Sequence, residues 1–217
     1  MLHLAFSGLG SAATVLCIGA HCDDIEIGCG ATLIRLSREN PGLSFVWGVF
    51  AGDHKREQES RSAASELLGQ QRVDLRYLGF RESYFPSQQD RVKDAFESLK
   101  ASVKPDLILT HRLDDRHQDH RVVAELTWNT FRSHLILEYE IPKYDGDLGS
   151  PNCFVVLDEE TCGRKVEHLR RAFGSQRDKH WFADETFMGL MRLRGMECRA
   201  AGGYAEAFYS RKTVLEL

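Results

Sequence analysis

Short apolar runs alternate with longer stretches of helical spacing through the first 140 residues or so of the chain. Leu43-Ser-Phe-Val-Trp-Gly-Val-Phe50 and Asp106-Leu-Ile-Leu-Thr110 are apolar almost throughout, as expected of strands covered on both faces in a parallel sheet. The pattern predicts strands at about 13–20, 43–50, 73–78, 106–110 and 135–140, and helices at about 29–39, 55–68, 90–102 and 119–132. Within 55–68, Arg56, Glu57, Glu59 and Arg61 fall opposite Ala63, Ala64, Leu67 and Leu68, and Gly69 follows as a helix stop. This is a βαβ rhythm, and it predicts an α/β fold with a mainly parallel central sheet sandwiched between helices. After residue 140 the rhythm gives way to Ile141-Pro-Lys-Tyr-Asp-Gly-Asp-Leu-Gly-Ser-Pro151, loop-like in composition, then a strand at 153–157 and a helix at about 159–173. We expect one domain over 1–217, with 141–217 as a carboxyl-terminal extension of it.

Composition narrows the function without naming it. The 217 residues are 42% apolar and 28% charged, which is ordinary for a globular chain, and the formal charge is −4. A polyanionic partner needs basic clusters that this sequence lacks, so nucleic acid is disfavoured. No apolar run reaches the roughly 18 residues of a membrane span, and Met1 to Ser11 has no basic segment leading into an apolar core. The six cysteines form no Cys-x-x-Cys pair, a scatter that suits reduced thiols and a cytoplasmic setting better than a disulfide framework.

Chemistry concentrates in two places. The run Ala13 to Ala20 ends in His21-Cys-Asp-Asp24, and the strand at 106–110 leads into His111-Arg-Leu-Asp-Asp-Arg-His-Gln-Asp-His120. In a parallel sheet, strands of one direction open on one edge, so His21, Asp24 and His120 can converge there. Two imidazoles and a carboxylate make an open metal site suited to zinc, although ligand type alone also admits iron, manganese or cobalt. Asp23 could exchange a proton with activated water, His117 could stabilise or protonate a developing oxyanion, and Asp119 could orient an imidazole.

Ala20-His-Cys-Asp-Asp-Ile-Glu-Ile-Gly-Cys-Gly30 resembles the signature of the LmbE-like (PIG-L) N-acetylglucosaminyl deacetylases, usually Ala-His-Pro-Asp-Asp followed by an acidic residue and a glycine pair. His117-Gln-Asp-His120 is similar to that family's second motif, and the likeness runs through Arg56-x-x-Glu59 to Ser175-Gln176. The resemblance implies a Rossmann-like, three-layer fold and a zinc hydrolase that removes an acyl group, typically acetyl, from an amino sugar or related amide. On that pattern His21, Asp24 and His120 match the zinc ligands, and Asp23 matches the general base. His117 matches the oxyanion histidine, Asp119 the carboxylate that supports it, and Arg56 an arginine that meets substrate. Cys22 stands where proline is common. Where some relatives place a tyrosine before the second motif this chain has Asp115 and Arg116, so that role is absent or falls to Tyr84, Tyr139 or Tyr144. Arg81-Glu-Ser-Tyr84 departs from the aspartate-containing turn of relatives and puts sugar-hydroxyl recognition in question.

Blander roles are expected elsewhere. Asp114 and Asp115 read as solvated loop acids or caps, and His54, His134, His168 and His180 as surface or packing residues. Gly28 and Gly30 lack dinucleotide spacing. The expected activity is therefore deacetylation of an acetamido-sugar-type small molecule. A non-sugar amide substrate and a non-catalytic binding module are the rivals. The segments 81–90, 139–151 and 176–184 carry the choice of substrate, and oligomeric state is left open.

Overall fold

A computed structural model of the protein describes residues 12–69 and 71–214. The amino-terminal stretch read above as lacking an export segment lies outside the described residues. Five parallel strands form first: β1 (Thr14–Gly19), β2 (Ser44–Ala51), β3 (Arg72–Phe80), β4 (Leu107–His111) and β5 (Leu135–Tyr139). Between them run α1 (Asp24–Glu39), α2 (His54–Leu68), α3 (Gln89–Ser102) and α4 (Gln118–Thr130); then follow β6 (Cys153–Leu157), α5 (Glu159–Ala172), α6 (Asp184–Glu197) and β7 (Tyr204–Ser210). The sheet order is β3-β2-β1-β4-β5-β7-β6, with β7 antiparallel to both neighbours.

Alternation along the strands builds two cores. Val15, Cys17, Phe45, Trp47, Leu107 and Leu109 face one way, against α1, α2, α5 and α6. Leu16, Ile18, Val46, Ile108 and Ile136 face the other way, where α3 contributes Val92 and Phe96, and α4 contributes Val123 and Leu126. Both faces of the central strands are therefore apolar, which is why their sequences lack polar alternation. At roughly 25 cal/mol per Å² this burial is the main stabilising force.

Several expectations need amending. The first helix starts at Asp24, not near 29, because the motif turn itself is helical and the chain breaks at Cys29 (φ −144°, ψ 18°) before continuing. Helix α6 and strand β7 were not expected at all. Each carries a buried charge at a core-facing position, Arg194 in α6 and Glu206 in β7, which interrupts the apolar pattern that would announce it. Gly69 ends α2 at φ 60°, in the left-handed region that favours glycine.

Strand order reverses between β1 and β4: α1 and α2 carry the chain outward to β3, and it returns to pair β4 with the other side of β1. At such a switch point the loops beyond the carboxyl ends of the strands diverge and leave a crevice. Both histidine motifs end there.

Candidate metal centre and active site

Helix geometry brings the first motif inward. Asp23 is the residue just before α1 and Asp24 the first within it, and Asp24 Oδ2 accepts the His21 N–H at 2.6 Å. The second motif enters through α4, whose capping residue is His117. His21, Asp23, Asp24, Asp119 and His120 are all buried.

Three of the expected side chains meet. His21 Nδ1 lies 3.2 Å from Asp24 Oδ2, His120 Nε2 lies 3.2 Å from His21 Nδ1, and His120 Nε2 lies 3.5 Å from Asp24 Oδ1. Metal bonds of 2.0–2.1 Å at tetrahedral angles hold ligand atoms about 3.3 Å apart, and these separations, measured to the two different oxygens of Asp24, are of that size. The outward nitrogens supply a second test. His21 Nε2 is 3.3 Å from Asp119 Oδ2 and His120 Nδ1 is 3.0 Å from Asp115 Oδ2. Carboxylates there keep each ring's proton on its outer nitrogen and turn a lone pair inward. The residues present therefore fit a divalent transition metal.

The Asp119 contact corrects one expectation. Its carboxylate supports His21, not His117, because it points from the first turn of α4 back toward the 83–85 loop, where it also accepts the N–H groups of Ser83 (2.5 Å) and Phe85 (3.1 Å). Its own N–H donates to His117 Nδ1 at 3.3 Å. That leaves Nε2 as the nitrogen of neutral His117 able to donate. Asp115 is likewise no solvated acid. It is 1% exposed, accepts the His117 N–H at 2.7 Å, and pairs with Lys143 at 3.0 Å.

Charge is arranged unevenly. Burial works against a cationic imidazole at His21, but Asp24 and Asp119 outweigh it and hold the ring up at about 10, with a second proton that a cation at the inner nitrogen would displace. Burial likewise opposes the charged His120, and Asp24 and Asp115 raise it nonetheless. Burial, with His120 and His21 nearby, lowers His117 and favours its neutral form. Burial raises the Asp23 carboxyl, and neighbouring Asp24 adds to this while Arg56 opposes it.

Arg56 Nη2 donates to Asp23 Oδ1 at 2.8 Å and Nη1 to Glu82 at 2.9 Å. Asp53 presents this guanidinium by capping α2, its side chain accepting the Arg56 N–H at 2.8 Å. The arginine expected to meet substrate is thus also a clamp on Asp23. Cys22 tucks its buried thiol toward Ala51 O at 3.5 Å, over Gly52, where a Cβ would come within 2.3 Å of the sulfur.

Sequence reasoning passed over His111, at the end of β4. Its ring stacks on His120, centroids 3.9 Å apart, and its Nε2 accepts the Ala20 N–H at 3.0 Å and sits 3.1 Å from Asp24 Oδ2. Burial and His120 push it down to about 4, so it stays neutral. The signal was its position one strand-end ahead of the second motif. Of the three tyrosines weighed, Tyr139 is fully buried and donates to Ile18 O at 2.6 Å. Tyr84 is 44% exposed and does not line the cleft, whereas Tyr144 does.

Above the histidines opens a cleft of about 940 Å³ of empty volume, solvent mouth included. Ile27, Ile141, Pro142 and Trp181 give it apolar walls, and Arg56, Lys143, Gln176 and Lys179 polar ones. His180 is exposed and does not line it.

Known proteins share this arrangement of elements. The uncharacterized deacetylase YaiS of Escherichia coli (strain K12) is 32% identical over 138 residues, 59% of this chain and 74% of that protein. The structure of N,N'-diacetylchitobiose deacetylase from Pyrococcus horikoshii superposes with a TM-score of 0.73 at 20% identity, covering 93% of this chain and 85% of that one. GalB, the 4-carboxy-2-hydroxymuconate hydratase of Pseudomonas putida KT2440, superposes with a TM-score of 0.72 at 14% identity over 94% and 98%. At those identities the two structures establish the fold, which evidently hosts more than one chemistry. The decisive match is to the family model PIG-L, GlcNAc-PI de-N-acetylase, over residues 16–131, a span that holds both histidine motifs, and the chain belongs to that deacetylase family.

Proposed function

We propose that the protein is a zinc-dependent hydrolase that removes an N-acetyl group from an amino sugar or sugar conjugate, giving acetate and a free amine. The observation that carries this reading is the meeting of His21, Asp24 and His120 within 3.5 Å of one another, beneath a cleft that Asp23 and His117 also line. A divalent ion held by those three residues supplies a Lewis acid that polarises an amide carbonyl and acidifies water. Every other task falls to a side chain.

Asp23 is the general base. Arg56 holds its Oδ1, leaving Oδ2 to take the proton of the attacking water and return it to the departing amine. Its raised carboxyl pKa brings it nearer the pH at which it must work. Neutral His117 donates from Nε2 to the oxygen that becomes negative as the carbonyl is attacked. Asp119 and Asp115 keep His21 and His120 aimed. Ile141, Pro142 and Trp181 offer surfaces for the apolar faces of a sugar ring. Six free thiols suit a reducing compartment, and we take it to be the cytoplasm.

A non-sugar amide is the second reading. Glu82 is engaged by Arg56, and the Ser83 N–H and C=O are engaged by Asp119 and Gln118, so this loop has fewer groups free for sugar hydroxyls. The test is metal analysis of the purified protein joined to amine and acetate release from acetamido sugars, nucleotide sugars and plain amides. Chelator-sensitive release from an acetamido sugar is expected. Release from plain amides alone transfers the assignment to the second reading, and a metal-loaded protein inert to all of them defeats both.

A further inference from the structure

The break in α1 has a specific origin. In an unbroken helix the Ala31 N–H would donate to the Ile27 C=O. Here the two groups are joined through an ion pair from the carboxyl-terminal part of the chain. Ala31 N–H donates to Glu206 Oε1 at 3.1 Å, and Lys165 Nζ donates at 2.6 Å both to that oxygen and to Ile27 O. Glu206 Oε2 takes the next N–H, of Thr32, at 2.6 Å. A carboxylate and an ammonium have been inserted into the helical hydrogen-bond ladder, one of the recognised causes of a kink.

Both side chains are buried, at 4% exposure each. A buried pair of this kind is a poor source of stability, since desolvation offsets most of the attraction and apolar replacements are often neutral. What the pair does determine is geometry. It lets the turn Asp24–Gly28 take a direction independent of the rest of α1. That turn is held from the opposite side too: Gly28 lies so close to the Tyr139 ring that a Cβ would come within 2.2 Å of it. Ile27, whose carbonyl Lys165 holds, lines the active-site cleft.

We propose that Lys165 and Glu206 are positioning residues for the metal centre: by keeping α1 open at Cys29, they set where Asp23 and Asp24 stand relative to His21 and His120. The inference rests on the reading of Asp24 as a metal ligand. Without the pair, Ala31 N–H and Ile27 O satisfy each other, the helix straightens, and the motif turn swings away from the histidines. A displacement of about 1 Å at reacting groups can cost 10²-fold in rate.

The test uses the full chain with Lys165→Met and Glu206→Leu together, apolar residues of similar bulk, and Co2+ as the probe. Wild type should bind Co2+ with the visible absorption of a low-symmetry site. The double variant should keep the wild-type circular dichroism while its Co2+ affinity falls roughly 10–100-fold, the range seen when groups supporting metal ligands are lost. Its absorption should change, and its kcat should fall more than its KM rises. A folded double variant with wild-type Co2+ affinity and spectrum overturns the proposal while leaving the metal-site reading intact. Failure of wild type to bind Co2+ overturns both. Should the double variant not fold, Glu206→Gln, which keeps the shape and one acceptor, is measured with the same two outcomes.

Discussion

Arg56 and Asp23 are joined by a hydrogen bond of 2.8 Å from Nη2 to Oδ1, and both are largely withdrawn from solvent, with side-chain exposures of 13% and 5%. Burial alone would push the Asp23 carboxyl up, and Arg56 opposes that rise. A general base works when ionised, so Arg56→Met should raise the Asp23 pKa and move the acid limb of kcat/KM to higher pH. An opposite charge at this range typically accounts for about 1–3 units. The loss of activity should thus be larger at pH 6 than at pH 8, and a full pH–rate profile checks it. An unmoved acid limb would mean that Asp23 is not the group titrating.

Asp23→Asn preserves the shape and removes the base. Metal content, read by elemental analysis, should match wild type, while kcat drops by roughly 10²–10⁴-fold. Comparable loss of metal would instead make Asp23 a ligand.

The two carboxylates behind the histidines should behave alike toward metal and differently toward stability. Asp115→Ala and Asp119→Ala should each weaken zinc binding roughly 10–100-fold in a chelator competition. Asp115→Ala leaves one backbone N–H, that of His117, without its acceptor, and Lys143 keeps Asp147 as a partner. Asp119→Ala leaves two backbone N–H groups, of Ser83 and Phe85, without their acceptor, at about 1–3 kcal/mol for each group left buried and unsatisfied. Thermal melts of the two apo-proteins should therefore rank Asp119→Ala lower.

Gly28→Ala forces a methyl group into the Tyr139 ring, which offers no flexible end to give way. Overpacking of this kind costs about 1–3 kcal/mol. At roughly 2–4 °C per kcal/mol for a chain of this size, the midpoint should fall by a few degrees at least. Adding Tyr139→Leu should recover part of that loss in scanning calorimetry. No recovery would place the clash elsewhere.

How much of this was legible in the sequence depends on how local the signal is. The five parallel strands and their helices announce themselves because each buries an apolar face within its own few residues. His21, Asp24 and His120 could be gathered from sequence because strand ends of a parallel sheet share an edge, and the structure brings their imidazole nitrogens and carboxylate oxygens within 3.5 Å of one another. Asp115 and His111 could not be placed. An acid five residues before a histidine faces solvent or the ring according to how its loop folds, and a histidine closing a buried strand looks like any packed side chain. Asp119 was assigned to the wrong imidazole because its side chain follows the start of α4 toward the 83–85 loop, a direction set by packing and not by spacing.

The sequence by itself determined the five parallel strands, the two motifs and the chemistry their residue types allow. Tertiary structure alone decided which carboxylate serves which histidine, and how the first motif is held. Lys165 and Glu206 lie 138 and 174 or more residues from the backbone groups they satisfy in α1. Glu206 reaches them because β7 enters the sheet between β5 and β6 and faces α1, and Lys165 because α5 packs against α1. Periodicity reports which side of an element is apolar; it carries no information about which distant charge will stand in for a missing helical hydrogen bond.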